Sequence, residues 1–361
     1  MLINGKVIAS TNVLDIRNPY TGKKAGYAPV ASRVEVGHAL ELASKTRCSL
    51  PVADRVAFLE KVALSIADKT EEFALCITDE TGLSLKDARH EVKRAIATAE
   101  MSAWATKNIM AHQDLSHRYQ IPLRLREPHS PLLHVLTSPV RLTIAITPFN
   151  HPFNLVCHDV LPAIGAGVPI VLKPSPKTPL TALKFGKLLH EIGLPPNMLN
   201  IVVDDGKNTA EIVRALVTFP ETELVLFTGS VSSGVSIARM IAQRENPLIR
   251  YIPECGGLAP FIVCEDADLN LAAELAMKGC FNHSGQLCTA IRKIIVMKKV
   301  ADEFLKRFVK KTGELRWGNP YDVTNDMGTV IDETAAIMIR YLVDTALKQR
   351  ATLCFGHHDY P

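Results

Sequence analysis

The sequence LTIAITPFNHP, residues 142–152, decides the fold class, because an unbroken apolar run ends there in a turn with an asparagine and two prolines. Similar short runs rich in Val, Ile and Leu occur at residues 169–174, 199–203 and 224–229. Runs without polar alternation are typical of parallel strands that are buried on both faces. With helical patterns between them, they predict a doubly wound parallel α/β sheet, as in nucleotide-binding domains.

Apolar residues at helical spacing predict the elements around this sheet. Helices are predicted at residues 34–44, 52–81, 87–107, 153–165, 180–192, 209–217 and 232–243. After Pro253, strands are predicted at residues 260–264 and 293–297, and helices at residues 269–281 and 301–311. Two short strands around a Pro-His-Ser turn predict a hairpin at residues 119–138. A second domain therefore begins near Glu254.

The composition is that of a globular protein of more than one domain. The chain has 361 residues, 47% of them hydrophobic and 22% charged, and this length exceeds that of one ordinary core. Its net charge of +4 forms no basic patch, so nucleic acid is not an expected partner. There is no apolar run of about 18 residues that predicts a membrane span. The first residues, MLINGKVIAS, lack the features of a signal peptide.

The eight cysteines show neither a C-x-x-C pair nor a histidine spacing suited to zinc, so no metal site is predicted. Free thiols indicate a reducing compartment, and we expect a cytoplasmic protein. Such a compartment is compatible with a reactive cysteine.

Two segments at the carboxyl ends of predicted strands could bind a nucleotide. In FTGSVSSG, residues 227–234, Gly229, Ser230 and Gly234 lie between a strand and a helix, where backbone N–H groups bind pyrophosphate. The pattern is G-x-x-x-x-G rather than G-x-G-x-x-G, so an ordinary strand-to-helix turn remains an alternative. Lys173 ends another strand and could bond ribose hydroxyls, although a solvated lysine would look the same.

Three side chains supply the chemistry for attack on a carbonyl carbon. Cys288 in GQLC offers a thiolate, Asn150 an amide that stabilises an oxyanion, and Glu254 in PECGG a base that activates water. Taken singly, Cys288 could be a packed core residue and Asn150 the side chain of an Asx-turn.

Segments along the whole chain resemble the aldehyde dehydrogenase superfamily in the same order. They are NPYTG, TPFNHP, VLKPS, LPPNMLNIV, FTGS, ECGG, DADL, FNHSGQLCTA and GNPYDVTNDMG. The 23 residues from Asn150 to Lys173 and the 34 from Glu254 to Cys288 also agree with that family. The chain looks most similar to the group that acts on phosphonoacetaldehyde, phosphonoformaldehyde and lactaldehyde.

The resemblance implies a catalytic role for each of the three side chains. Cys288 would form a thiohemiacetal with the aldehyde, and the Asn150 amide with the backbone N–H of Cys288 would bind its oxyanion. Glu254 would activate water to hydrolyse the resulting thioester. The implied cofactor is NAD or NADP, bound by Lys173, Ser175, Gly229, Ser230, Phe149 and Gly234. A glutamate that favours NAD in many relatives is replaced by Pro176, so the choice between the two stays open.

The resemblance also implies the organisation of the chain. Residues 1–118 and 139–253 would form a Rossmann-like dinucleotide-binding domain, residues 119–138 an oligomerisation hairpin, and residues 254–361 an α/β catalytic domain that lacks its C-terminal part. The full-length protein is expected to be a homodimer or homotetramer.

The expected substrate is a small anionic or hydroxylated aldehyde. His151, Arg94 and Arg292 are the candidate contacts for its head group, although either arginine could be a surface residue in a salt bridge. Leu287 stands where the phosphonoacetaldehyde enzymes have an arginine, which weakens the case for a phosphonate substrate.

Two other functions stay open at this point. Acyl transfer to coenzyme A would replace hydrolysis, but relatives of that kind commonly lack the base that Glu254 provides. A truncated, non-catalytic remnant is the other, because family members continue beyond Pro361.

Overall fold

The apolar runs between residues 142 and 229 pair as neighbours in the computed structural model, which describes residues 1–110 and 138–356. The strands are β1 (Leu2–Ile3), β2 (Lys6–Val7), β3 (Val13–Arg17), β4 (Lys24–Pro29), β5 (Thr143–Ile146), β6 (Ile170–Lys173), β7 (Leu199–Ile201), β8 (Leu224–Gly229), β9 (Arg250–Cys255), β10 (Pro260–Val263) and β11 (Lys293–Val296). The main sheet has seven strands in the order β2-β1-β7-β6-β5-β8-β9. All pairs from β7 to β9 are parallel, which confirms the predicted parallel α/β sheet.

Helices cover this sheet and continue into the second unit. They are α1 (Arg33–Lys45), α2 (Val52–Asp68), α3 (Thr70–Thr81), α4 (Leu85–Ala105), α5 (Asn154–Ala166), α6 (Leu180–Glu191), α7 (Thr209–Thr218), α8 (Val231–Ala242), α9 (Leu269–Phe281), α10 (Ala301–Gly313) and α11 (Glu333–Lys348). None of the helices within the described ranges is long and apolar enough to cross a membrane.

Alternate side chains of the buried strands enter two separate cores, as the period of a strand requires. Ala145 of β5 packs with α2 to α6 on one face. Ile144 and Ile146 of the same strand pack with α1, α7 and α8 on the other face. The sheet is therefore covered by helices on both sides, and the doubly wound prediction is confirmed.

Two parts of the chain named below differ from the predicted elements, and a third prediction lies outside the described residues. The helix predicted at residues 52–81 is wrong as one element, because Lys69 has φ −108° and ψ 21° and separates α2 from α3. The four short N-terminal strands were not predicted, since β1 and β2 have only two residues each and β3 and β4 are largely exposed. The hairpin predicted at residues 119–138 lies almost wholly outside the described residues and stays a prediction.

The second unit is built on β10 and β11, which pair in parallel. Its small core contains Val263, Ala273 and Phe304 from β10, α9 and α10. The predicted boundary before Glu254 falls within β9, where Glu254 pairs with Thr228 of β8. The base candidate therefore lies on the main sheet, next to the strand that leads to the glycine-serine turn.

A buried glutamate side chain, whose pKa burial raises to about 8, caps the helix that follows β6. Glu80 of α3 accepts hydrogen bonds from the backbone N–H groups of Leu180 and Thr181, at 2.7 and 3.1 Å. The first N–H groups of a helix have no partner within the helix and need acceptors of this kind. Glu80 therefore fixes the start of α6, and with it the loop that follows Lys173.

Glu80→Ala should destabilise the protein by about 2–4 kcal/mol, because it leaves two buried N–H groups without acceptors. Urea unfolding followed by circular dichroism measures the change. Glu71→Ala is the matched control on the same helix, since this carboxylate pairs with Arg89 in solvent, and its unfolding midpoint should change little. Equal midpoints for the two variants would contradict a capping role for Glu80.

Candidate active site

A cleft of about 980 Å³ lies at the carboxyl ends of β5, β6, β8 and β9. In open parallel sheets, ligands bind at the carboxyl ends of the strands. They bind at the point where the chain connections leave two neighbouring strands toward opposite edges of the sheet. Here the change of direction falls between β5 and β8. The turn that carries Cys288 and helix α11 close the cleft on its other side.

The cleft collects most of the residues that the sequence predicts for the site. It is lined by Phe149, Asn150, Lys173, Ser175, Gly229, Ser230, Glu254, Cys288 and Arg292. The remaining candidates, His151, Gly234 and Arg94, do not line it.

The turn before Cys288 follows α9 directly and has a left-handed backbone. His283, Ser284 and Gly285 have φ angles of 55°, 54° and 72°. For the two non-glycine residues, this conformation costs on the order of 1–2 kcal/mol each. Contacts from distant parts of the chain must therefore hold the turn in place.

These contacts come from three segments. The amide nitrogen of Asn150 donates to the carbonyl oxygen of Gln286 at 2.8 Å, and the Gln286 side chain accepts from the N–H of Ile331 at 3.0 Å. A Cβ at Gly257 would lie 2.6 Å from the carbonyl oxygen of Cys288, so a glycine is needed there. The thiol of Cys288 is left exposed, and its backbone N–H has no hydrogen-bond partner among the described residues.

A second buried carboxylate fixes the turn that carries Asn150. Glu91 of α4 accepts from the N–H groups of Phe153 and Asn154 at 2.8 and 2.9 Å. Its other oxygen lies 3.2 Å from Nδ1 of His151. The carboxylate therefore holds the residues on the carboxyl side of Asn150, and Asn150 in turn contacts the cysteine turn.

The glycine-serine turn and Lys173 form the other end of the cleft. Ser230 is the N-cap of α8, and a Cβ at Gly229 would lie 2.6 Å from the ring of Phe227. Lys173 is 2% exposed, and its ammonium lies 2.5 Å from a carboxylate oxygen of Asp204. A helix N-terminus for pyrophosphate and a lysine for ribose hydroxyls, in a cleft of this volume, fit a dinucleotide.

Gly234 lies behind the cleft, although the sequence predicts it as a cofactor residue. A Cβ there would approach the sulfur of Cys255 to 2.9 Å, and its carbonyl oxygen accepts from the hydroxyl of Tyr251 at 2.9 Å. Gly234 thus permits close packing of α8 on β9, and its role in cofactor binding stays a prediction.

The three substrate candidates lie in different places. Arg292 lines the main cleft and donates to the carbonyl oxygen of Leu287 at 3.2 Å. Arg94 instead lines a second pocket of about 590 Å³ between α4 and α5, together with His158. Burial lowers the pKa of His158, and the nearby Arg94 and His151 lower it further. The structure therefore brings Arg94 near His158 and places Arg292 in a different pocket.

His151 contacts the cysteine turn and is close enough to His158 of the second pocket to lower its pKa. Its ring stacks on that of His283, with centroids 5.4 Å apart. His283 is 4% exposed, and neither of its ring nitrogens has a hydrogen-bond partner among the described residues. Burial, together with the nearby His151, lowers the pKa of His283 to about 4.

Sequence reasoning missed the residues that position the site. Gln286 and Gly257 stand in the quoted motifs GQLC and ECGG, but their contacts are with distant segments. The sequence gives a weaker signal for Glu91 and Asp204. Glu91 is an acidic residue on the apolar face of a helix, and Asp204 is an acidic residue directly after an apolar strand. Only the packed structure shows which groups they meet.

The comparison with known proteins agrees with this geometry. The Aldehyde dehydrogenase family description matches residues 7–361. Aspartate-semialdehyde dehydrogenase 1 of Pseudomonas canavaninivorans is 33% identical over 348 residues, which cover 95% of this chain and 71% of that protein. 3-Sulfolactaldehyde dehydrogenase of Priestia aryabhattai is 32% identical over 358 residues, 99% of this chain and 72% of that protein.

The chain is also similar to a lactaldehyde dehydrogenase and to a crystal structure solved with NAD+. Lactaldehyde dehydrogenase of Methanocaldococcus jannaschii is 32% identical over 363 residues, 99% of this chain and 74% of that protein. The crystal structure of betaine aldehyde dehydrogenase from Staphylococcus aureus in complex with NAD+ superposes with a TM-score of 0.88 at 25% identity. It covers 98% of this chain and 68% of that chain.

His283→Asn should reduce the loss of stability between about pH 7 and about pH 5. The folded protein resists protonating His283, whose pKa is about 4, whereas the unfolded chain takes up this proton below about pH 6.5. Stability present above that pH is therefore lost as the pH falls, by about 2 kcal/mol over this window. Asparagine tolerates the left-handed backbone and does not titrate.

Urea unfolding at both pH values measures this difference. His38→Asn, an exposed position on α1, is the control and should keep the wild-type pH dependence. A His283→Asn variant with an unchanged pH dependence would show that the buried imidazole is not the responsible group.

Proposed function

The chain belongs to the aldehyde dehydrogenase family and oxidises aldehydes with NAD or NADP, and from this premise we propose that Cys288 is the nucleophile toward a small hydroxylated or anionic aldehyde. The observation that carries the proposal is the convergence of Cys288, Asn150 and Glu254 on one cleft, which Lys173 and Ser230 also line. The first three provide the nucleophile, oxyanion donor and base that carbonyl chemistry needs.

The sulfur of Cys288 adds to the aldehyde carbon, and the carbonyl oxygen becomes an oxyanion. The backbone N–H of Cys288 is one donor to it. The Asn150 amide is the other, because its nitrogen carries two hydrogens and the carbonyl of Gln286 accepts only one of them. Loss of one such donor costs about 3 kcal/mol in the transition state.

The proposed second half of the reaction regenerates the thiol. NAD or NADP, when bound, supplies the hydride acceptor that oxidises the adduct to a thioester of Cys288. Glu254, at the exposed end of β9, takes a proton from water, which attacks the thioester carbon and releases the carboxylate. Lys173 and Ser230 bind and orient the nucleotide meanwhile.

The substrate proposal rests on the pocket that contains Arg94. If the nucleotide occupies the main cleft, we expect the remainder of the aldehyde to extend past Asn150 toward His151, which is close enough to His158 of the second pocket to lower its pKa. Arg94 and His158 there are suited to a sulfonate, carboxylate or hydroxyl group. The names of the relatives support this choice, because sulfolactaldehyde, lactaldehyde and aspartate semialdehyde each carry such a group.

Replacement of the cysteine and of the base should affect different steps. Cys288→Ala should lower steady-state turnover by about a thousandfold or more and abolish any burst of reduced cofactor. Glu254→Gln should retain a burst of about one equivalent per site and then turn over slowly, because only deacylation needs the base. Stopped-flow nicotinamide absorbance measures both phases.

Cys280→Ala is the matched control, since this thiol also lines the cleft and burial raises its pKa. It should turn over within about threefold of the wild-type rate. Full activity in Cys288→Ala, or a Glu254→Gln variant that loses its burst together with turnover, would refute these roles.

The two arginines can be compared directly as anion contacts. Arg94→Gln should lower kcat/KM for sulfolactaldehyde and phosphonoacetaldehyde by roughly 10- to 100-fold and that for propionaldehyde by less than about threefold, as expected for loss of one charge-assisted hydrogen bond. Initial rates with this panel of aldehydes, lactaldehyde included, make the measurement.

Arg292→Gln is the comparison, because it removes the same charge from the main cleft. A selective loss with anionic aldehydes in this variant, but not in Arg94→Gln, would place the anion site beside Leu287 instead. Equal losses for charged and neutral aldehydes in Arg94→Gln would also contradict the proposal.

A further inference from the structure

We infer that Asp204 makes the cleft select NAD over NADP by neutralising Lys173. The inference rests on the proposed placement of the adenosine ribose at Lys173 and extends it to the choice between the two cofactors. Pro176 leaves that choice open in the sequence.

Lys173 and Asp204 form a buried ion pair at the carboxyl ends of adjacent strands. Lys173 is the last residue of β6, and Asp204 follows β7, which pairs with β6 in parallel. Their side chains are 3% and 0% exposed, and their charged atoms are 2.5 Å apart. The other carboxylate oxygen of Asp204 accepts from the N–H of Gly206 at 2.9 Å. The carboxylate is therefore fixed directly beneath the lysine that lines the cleft.

Among the described residues that line this corner of the cleft, no cation other than Lys173 is available to a phosphate. Lys173 and Arg292 are the cationic residues among the described residues that line the cleft, and Arg292 is held beside Leu287 at the cysteine end. Lys177, close to Lys173 in sequence, pairs with Asp332 across the cleft mouth. Lys173 and Lys177 thus each have a carboxylate partner, whereas Lys207, in the loop after Asp204, is exposed and does not line the cleft.

The Lys173–Asp204 pair should interact differently with a 2′-hydroxyl and with a 2′-phosphate. The hydroxyl is uncharged and can accept from the Lys173 ammonium without disturbing the pair. A phosphate monoester brings about two negative charges, which Asp204 repels and which, among the described residues that line this corner, only the already paired Lys173 can balance. Asp204 does not need to touch the nucleotide for this effect, so it acts as a positioning residue through Lys173.

Equilibrium titration calorimetry without aldehyde tests the inference, with NAD+ and NADP+ and with the pair AMP and adenosine 2′,5′-bisphosphate. The wild-type protein should bind the 2′-hydroxyl form more tightly in each pair, by about tenfold or more. Asp204→Asn should reduce this preference by about tenfold, chiefly through tighter binding of the 2′-phosphate forms. Asp205→Asn removes a charge from the next residue in the chain, a half-buried aspartate that accepts from the backbone N–H groups of Lys207 and Asn208, and should leave the preference unchanged.

A double variant covers the case in which Asp204→Asn does not fold, since an unpaired buried lysine is destabilising. Lys173→Met with Asp204→Leu removes both charges and tends to preserve stability. It should bind all four ligands more weakly and keep the preference for the 2′-hydroxyl forms. Loss of that preference in the double variant would overturn the inference.

Other outcomes also overturn it. These are a wild-type preference for NADP+, equal effects of the two aspartate variants, or no binding of any of the four ligands. Because no aldehyde is present, the titrations give their answer even if Cys288 proves not to be the nucleophile.

Discussion

The arrangement of the site depends on one buried carboxylate. Glu91 crosses from α4 to the start of α5 and accepts two backbone N–H groups and a histidine ring there. A carboxylate removed from water is stable only with such partners, so the turn after β5 has little freedom to move. Asn150 lies within that turn and bonds to the backbone of the cysteine turn. The position of the cysteine turn thus depends on Glu91, a residue on a helix that is distant in sequence.

The fold was predictable from the sequence where a segment's own residue pattern determines its secondary structure. The buried strands β5, β6 and β8 are short runs of apolar residues, and the predicted bounds of β8 and α9 match the structure. The break between α2 and α3 has no glycine or proline to mark it, because Lys69 turns the chain with an ordinary backbone conformation. The N-terminal strands are defined by their partners, as β1 is by β7, and a single sequence does not show partners.

The candidate site was predictable as a set of residue types and less so as an arrangement. Cys288, Asn150 and Glu254 were found through their motifs, whereas the contact of Gly257 with the cysteine carbonyl depends on two segments meeting in space. Gly234 was placed with the cofactor because its spacing in a glycine-serine turn does not distinguish a ligand contact from helix packing. Arg94 was grouped with Arg292 on charge alone, and the structure separates them into two pockets.

The cleft is bounded on one side by the main sheet with α7 and α8, and on the other by the cysteine turn and α11. Met338, Ile339 and Leu342 of α11 contribute apolar side chains to that second wall. A nucleotide bound there as proposed would contact both walls, and its binding free energy would stabilise their association. The supply of free nucleotide would then help to set the lifetime of the folded protein as well as its turnover.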